Sequence, residues 1–430
     1  MTKRVSEDGA DVLVCGGGLA GTMAAVAAAR RGARVMLVER YGFLGGNATA
    51  GAVAQFNSWQ TAAGRRVIAG LAQEVVDRLR RYDGAGPLDV FTMSTGHRMD
   101  RVSYAPEVLK LVLDDLIVDS GVQVLFHAQV LEVQRIGARI DAVRLFTKGG
   151  VHEVRPRLLV DASGDLDAMQ RAGARFLALD PGEQLQPATM MFRFGPVDHP
   201  AFEALPKAEL NRLARAGYES GRLPRIALHA SRDPASGDLW FNVGRLAIDA
   251  TDPFALSEAE IEGRRQAWQA AAFIREQVPG CSTGRLQGFG TQVGIRETRR
   301  IAGDHLLRAE ELLAGTVFED AIACGAYPID IHPAQGGSID FRTMGEDHAY
   351  QIPLRSLIPV GLDNALVAGR GISATHEALA AIRVMSISMA VGEAVGTAAH
   401  LAASEADGLT RRIESRRLRA LLLEQGAIVG

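Results

Sequence analysis

Gly16, Gly18 and Gly21 stand in a GxGxxG spacing suited to gripping a diphosphate. Gly16 permits a tight turn, and Gly18 lets backbone approach phosphate with no Cβ in the way. Gly21 lets a helix pack against a strand. A helix starting here adds unpaired N–H groups and the positive end of its dipole. Glu39, 18 positions after Gly21, can accept hydrogen bonds from both hydroxyls of an adenosine ribose. The chemistry this spacing serves is dinucleotide binding.

Two further clusters suit proton transfer or anion binding. In Tyr327-Pro328-Ile329-Asp330-Ile331-His332, an extended backbone puts Asp330 and His332 on one face, as a base and its orienting partner. Solvated polar residues on an exposed strand would show the same spacing. Arg296, in the run Arg296-Glu297-Thr298-Arg299-Arg300, is a candidate binder of a substrate anion. An ion-pair network between domains is its alternative.

The elements that must position these residues are legible around the glycines. Asp11–Cys15 is an apolar run that predicts a buried parallel strand, Leu19–Arg31 an alanine-rich helix stopped by Gly32, and Ala33–Val38 a second strand. Further on, Pro106–Ser120 predicts an amphipathic helix and Val122–Phe126 a strand. Val130–Val133 and Ile140–Phe146 read as a meander turning at Gly137, and Arg157–Asp161 as another buried strand. Near the C-terminus, Asn364–Ala368 reads as a strand entering a glycine turn, and Ala380–Ala402 as one long helix of small residues. Between these blocks, strands are expected at Ala188–Phe194 and Leu239–Val243, and helices at Lys207–Ala216 and Ser257–Glu276.

With 47 basic and 50 acidic residues the net charge is −3, which gives no pull toward nucleic acid or anionic lipid. The Arg411-Arg412 and Arg416-Arg417 pairs read as a solvated helix face. The uncharged stretch Val12–Ala29 follows Lys3 and Arg4 and looks superficially like a leader or membrane helix. Asp8, Asp11 and four glycines speak against that. Three widely spaced cysteines, Cys15, Cys281 and Cys324, offer no CxxC pair and fit a reducing cytoplasm. There is no HExxH, and the ten histidines are scattered, so no metal site is expected. At 430 residues the chain exceeds the roughly 250–300 residues that one core usually holds, so two domains are expected.

Several runs together resemble a known family. Glu39 continues directly into Arg40-Tyr41-Gly42-Phe43-Leu44-Gly45-Gly46-Asn47, an ExxxxxGG pattern, and the strand ending at Asp161 leads into Ala162-Ser163-Gly164-Asp165. With Val38–Gly51, Gly294–His305 and Gly369–Met385, these resemble the FAD-dependent oxidoreductase family of the glutathione-reductase superfamily. The similarity is to its fumarate-reductase-like branch, whose members are mostly uncharacterised bacterial enzymes. It covers nearly the whole chain and is strongest at both ends.

The resemblance implies an α/β (α+β overall) fold. In it, a Rossmann-like FAD-binding domain, residues 1–175 and 355–430, carries an inserted β-sheet and helix substrate domain, residues 176–354. It implies FAD contacts from Gly16, Gly18, Gly21, Glu39, Arg40, Gly45, Gly46, Asn47, Val130, Asp161, Gly164, Gly369, Arg370 and Met385, with Asp161 and Gly164 near the adenosine half. The FAD would be non-covalent, since Asn47 and Ala48 stand where relatives with covalent flavin carry a histidine. The last long helix would point its N-terminus at the pyrimidine side of the flavin ring, where reduced flavin gathers negative charge. His376, in the loop before that helix, and Arg383, at its start, would then lie near the ring. An arginine there opposes the helix dipole. It would hold a substrate carboxylate or flavin O2, or else pair with Glu377 or another acid. For His376 the alternative is a helix cap.

The expected function is hydride transfer between a small polar metabolite and FAD, by a cytoplasmic dehydrogenase or reductase. The partner is a small-molecule substrate, with no nucleic acid and no membrane, and a homo-oligomer is compatible with the sequence. One alternative is a flavin monooxygenase or halogenase using NAD(P)H and oxygen, although no second GxGxxG marks an NAD(P)H domain. Another is a non-catalytic flavoprotein subunit.

Overall fold

The structure, a computed structural model, describes residues 9–93, 96–333 and 340–430; Lys3, Arg4 and Asp8 lie outside them. The chain opens with β1 (Val12–Cys15), α1 (Leu19–Arg30) and β2 (Val35–Val38), then reaches α2 (Pro106–Asp119) and β3 (Gln123–Leu125). An antiparallel meander, Gln129–Ile136, Arg139–Thr147 and Gly150–Val154, precedes β4 (Leu158–Asp161). Next come β5 (Phe192–Gly195), β6 (His229–Arg232), β7 (Leu239–Asn242), α3 (Pro253–Gln277) and β8 (Arg285–Phe289). The last labelled elements are β9 (Ile329–Ile331), β10 (Ala365–Val367), α4 (His376–Ile382) and α5 (Met385–Glu405).

Five strands form a parallel sheet in the order β10-β4-β1-β2-β3. The residues of β1, β2 and β4 are all buried, as expected of strands covered on both faces. Consecutive β1, α1 and β2 make the βαβ unit that the glycine spacing predicts. α5 crosses α1 at backbone contact, because a Cβ on Gly392 or Gly396 would overlap the Ala20 or Ala24 carbonyl.

The second sheet is antiparallel, in the order β6-β7-β5-β8. Against it lies α3, capped by Asp252, whose side chain accepts the Phe254 amide at 2.8 Å. This core holds Phe192, Phe194, Phe241, Ala267 and Ile274 and draws its buried residues from Ala188 to Ile295. Residues such as Ile301, Leu307, Ile329 and Leu357 join the first core instead.

One expectation is overturned at the C-terminus. The single helix predicted over Ala380–Ala402 is two helices, α4 and α5, bent by 93°. Arg383 closes α4 and Val384 is extended (φ −67°, ψ 151°) before α5 begins. Arg383 therefore sits between the C-terminus of α4, whose dipole favours a cation, and the N-terminus of α5, whose dipole does not. His376 is the first residue of α4, not a loop residue, and Thr375 caps the helix by accepting the Ala378 amide at 3.2 Å. Among the described residues no single helix is long and apolar enough to cross a membrane.

Candidate active site

The carboxyl ends of β1, β2, β4 and β10 open onto one cleft, the usual ligand position in an open parallel sheet. Gly16, Gly18, Glu39, Arg40, Gly45, Gly46, Asn47, Gly164, Gly369, Arg370, Arg383 and Met385 all line it. Gly16 has φ +104°, and a Cβ there would meet the Ala162 carbonyl oxygen at 2.5 Å. A Cβ on Gly18, by contrast, would meet only Gly46 Cα at 4.0 Å. The space over Gly18 is thus cleft rather than protein.

The polar groups of the cleft are held from behind. Glu39 accepts the Gly17 amide at 2.7 Å through Oε2 and the Tyr41 amide at 2.9 Å through Oε1. Each oxygen keeps further acceptor capacity for a ribose hydroxyl. Arg40 donates to Gln292 Oε1 at 2.5 Å, and Tyr41 donates its hydroxyl to the same oxygen. Asn47 donates to the Ile295 carbonyl at 2.7 Å, tying the cleft to the second core. Arg370 donates to Asp165 and keeps a buried Nη1 with no partner among the described residues.

Other sequence choices fall outside the lining. Gly21 is a packing residue: a Cβ there would overlap the Gly16 carbonyl oxygen. Asp161 turns inward and serves its own turn, accepting from Ser163 N at 3.0 Å, Ser163 Oγ at 2.7 Å and Met169 N at 2.8 Å. Val130 is paired with Leu145 in the meander. His376 is buried with Nδ1 2.8 Å from Glu297 Oε2, so it faces an internal acid rather than the cleft. Arg296 donates to the Pro187 carbonyl and, at 2.8 Å, to Thr189 Oγ1. The sequence reading missed Tyr41, Asp165 and Gln292, which do line the cleft. Asp165 lay within the quoted Asp161–Asp165 segment; Gln292 carries no local signal.

The open space over Gly18, the α1 N-terminus behind it, the unpartnered Arg370 Nη1 and the Glu39 carboxylate fit an adenine dinucleotide. The profile of a family described as FAD dependent oxidoreductase matches residues 11–422. The chain belongs to that family. No curated protein matches the sequence. Among solved structures it is similar to a geranylgeranyl bacteriochlorophyll reductase-like protein of Thermoplasma acidophilum, at 13% identity and TM-score 0.50, covering 97% of this chain and 83% of that one. It is also similar to a p-nitrophenol 4-monooxygenase of Pseudomonas putida, at 12% identity and TM-score 0.49, covering 97% and 84%. A flavin-dependent brominase matches at 12% identity and TM-score 0.47, covering 97% and 83%. At these identities the likeness to the first is one of fold.

This FAD-dependent oxidoreductase carries a second polar group beside the cleft. Arg383 lines the cleft and also donates to Gln186 Oε1 at 3.0 Å and to the Asp330 carbonyl at 3.3 Å. Asp330 Oδ2 lies 3.3 Å from His332 Nε2 and accepts the Tyr327 hydroxyl at 3.0 Å. Burial alone would raise the Asp330 carboxyl, but His332, Arg383 and the Tyr327 hydrogen bond hold it well below the usual carboxylate range. Burial pulls His332 down to about 4, helped by Arg296 and opposed by Asp330. At neutral pH the oxidoreductase thus holds a neutral imidazole against a carboxylate.

Proposed function

We propose that this enzyme transfers hydride between a small polar metabolite and FAD held without a covalent bond. The observation that carries the reading is Arg383, which belongs to the cofactor cleft and touches the Asp330–His332 pair at once. When bound, FAD supplies the two-electron acceptor or donor. Gly16, Gly18, Gly45 and Gly46 would cradle its diphosphate, Glu39 its ribose, and Arg370 a phosphate or ribityl oxygen. Met385 and Ser388, at the start of α5, would meet the ring end, where the helix dipole favours negative charge.

The residues of the chain then divide the proton work. Neutral His332 takes the substrate proton, Asp330 orients the imidazole and stabilises its charged form, and Tyr327 fixes Asp330. Arg383 steadies the negative end of the substrate over the cleft. A division into a cofactor part (1–175 and 355–430) and a substrate part (176–354) is supported in outline by the separate second core.

Anaerobic exposure of the purified holoenzyme to polar metabolites tests the reading through bleaching of the flavin band. Reduction by one class of metabolite is expected. Flavin that no metabolite reduces, with substrate-stimulated oxygen consumption on NAD(P)H, would replace it with a monooxygenase or halogenase reading. Flavin inert to every metabolite and reductant would leave a non-catalytic subunit.

A further inference from the structure

Gln186 precedes β5, is 2% exposed, and is tied to both ends of α4. Its backbone amide donates to Glu297 Oε2 at 3.3 Å. The same oxygen lies 2.8 Å from Nδ1 of His376, the first residue of α4. The Gln186 side-chain oxygen accepts Arg383 Nη2 at 3.0 Å, at the closing end of that helix. Pro187 follows and holds the backbone of Gln186 toward the extended region. The Pro187 carbonyl in turn accepts Arg296. The backbone that carries the carboxamide is thus anchored apart from the guanidinium it meets.

Among the described residues, Gln186 is the side chain that hydrogen-bonds Arg383. The other acceptor is the Asp330 carbonyl at 3.3 Å, while Asp330 Oδ2 stands off at 4.0 Å and is engaged by His332 and Tyr327. Arg383 has 12% of its side chain exposed, yet it lines the cleft with Met385 and Ser388. Gln186 itself is not among the residues that line the cleft.

The type of acceptor matters here. A carboxylate at this position would point the guanidinium equally well but would offset the positive charge it offers the cleft. An apolar side chain would spare the cost of Gln186 Nε2, which is buried with no partner among the described residues. It would also leave Arg383 unaimed. The carboxamide directs the guanidinium and cancels none of its charge.

We propose that Gln186 is a positioning residue of the reaction. Its carboxamide oxygen aims Arg383 at the ring end of the cleft and leaves that arginine's charge intact for the reduced ring and for the negative end of the substrate. Gln186 acts through Arg383 and does not touch the reacting atoms. This rests on the hydride-transfer reading and adds a residue to it.

The test is the flavin midpoint potential of the holoenzyme, measured as a double-mutant cycle between positions 186 and 383. A cation beside the ring stabilises its reduced, negative form and raises the potential. Arg383→Gln should therefore lower it. Gln186→Met keeps the side-chain length and removes the acceptor. It should lower the potential by a smaller amount and add nothing in the Arg383→Gln background. Gln186→Glu keeps the acceptor and pairs with the charge, so it should lower the potential about as far as Arg383→Gln while Arg383 remains. With a metabolite that bleaches the flavin, Gln186→Met should lower kcat/KM about 10-fold through one misdirected charge-assisted bond. Beside Arg383→Gln it should cause no further loss.

A potential unmoved by Arg383→Gln, or by both Gln186 variants, overturns this role. So does a Gln186→Met shift that persists undiminished without Arg383, the mark of a structural residue. If Gln186→Met does not retain FAD, the shift in Gln186→Glu decides. Flavin that no metabolite reduces would sink hydride transfer, while the cycle in potential still decides whether Gln186 acts through Arg383. An uncoupled cycle in an enzyme that metabolites reduce would do the reverse.

Discussion

Arg370 Nη2 donates to Asp165 Oδ1 at 2.9 Å, joining the turn after β10 to the turn after β4 across the mouth of the cleft. The same carboxylate oxygen accepts the Thr298 hydroxyl at 2.8 Å. Its position is therefore fixed from two sides, and the free Nη1 of Arg370 is aimed by a rigid pair. Arg370→Gln should weaken FAD binding about 10- to 100-fold, the worth of a charge-assisted hydrogen bond. Flavin fluorescence during titration of the apoprotein reads it directly.

The two glycines Gly18 and Gly21 should fail in opposite ways. At Gly18 (φ −62°, ψ 173°) alanine meets no obstruction in the protein but occupies the cleft. Gly18→Ala should leave the apoprotein midpoint nearly unchanged and lose most bound flavin. Gly21→Ala drives a methyl into the Gly16 carbonyl, which should cost about 2–4 kcal/mol of stability through overpacking and backbone shift. Paired measurements of melting and flavin content separate the two.

His376 and Arg383 also part company. His376→Gln disturbs a buried contact with Glu297 outside the cleft, and Glu297 is itself 3.5 Å from Arg300. It should cost about 1–3 kcal/mol of stability and leave flavin reduction within about threefold. Arg383→Gln should lower kcat/KM for flavin reduction about 100-fold. A rate loss of that size in His376→Gln would return His376 to the chemistry.

The pH profile reports on His332. Its imidazole must be neutral to accept a proton, so activity should rise through about pH 4 and stay level toward neutrality. Asp330 raises the imidazole pKa through charge and hydrogen bonding. Asp330→Asn should therefore move that limb to lower pH and reduce kcat, since the ring loses its orienting partner. An unmoved acidic limb would show that another group titrates.

Glu393 gives stability its own pH dependence. The carboxyl, 1% exposed on α5, is raised to about 7 chiefly by burial, although it accepts the Leu71 amide at 2.9 Å. The folded state thus prefers the protonated form. Its contribution is complete below the ordinary carboxylate pKa and is lost as pH rises to about 7, a change of roughly 3 kcal/mol. Glu393→Gln should flatten that slope and leave the enzyme more stable at pH 8. Urea unfolding across pH 4.5 to 8 checks the sign.

What the sequence showed was what its neighbours in the chain decide. β1, α1 and β2 follow from an apolar run, three glycines and a helix of small residues within 27 positions, Val12 to Val38. The break at Arg383 carries no such mark, since Ala381-Ile382-Arg383-Val384-Met385 contains neither glycine nor proline. It is imposed by packing between distant parts. Asp161 and Asp165 show the limit on a finer scale. Both are acids in one segment, but the first spends its side chain on its own turn, and only the second reaches the cleft.

The seam where Gly392 and Gly396 meet Ala20 and Ala24 leaves the two helices no room to slide. On the seating of FAD proposed above, one would present its beginning to the phosphates and the other its beginning to the ring. Welded side by side, they act as the jaws of a fixed calliper. A mononucleotide would then reach one jaw only, so a fixed span between the helix starts would favour whole FAD over its halves.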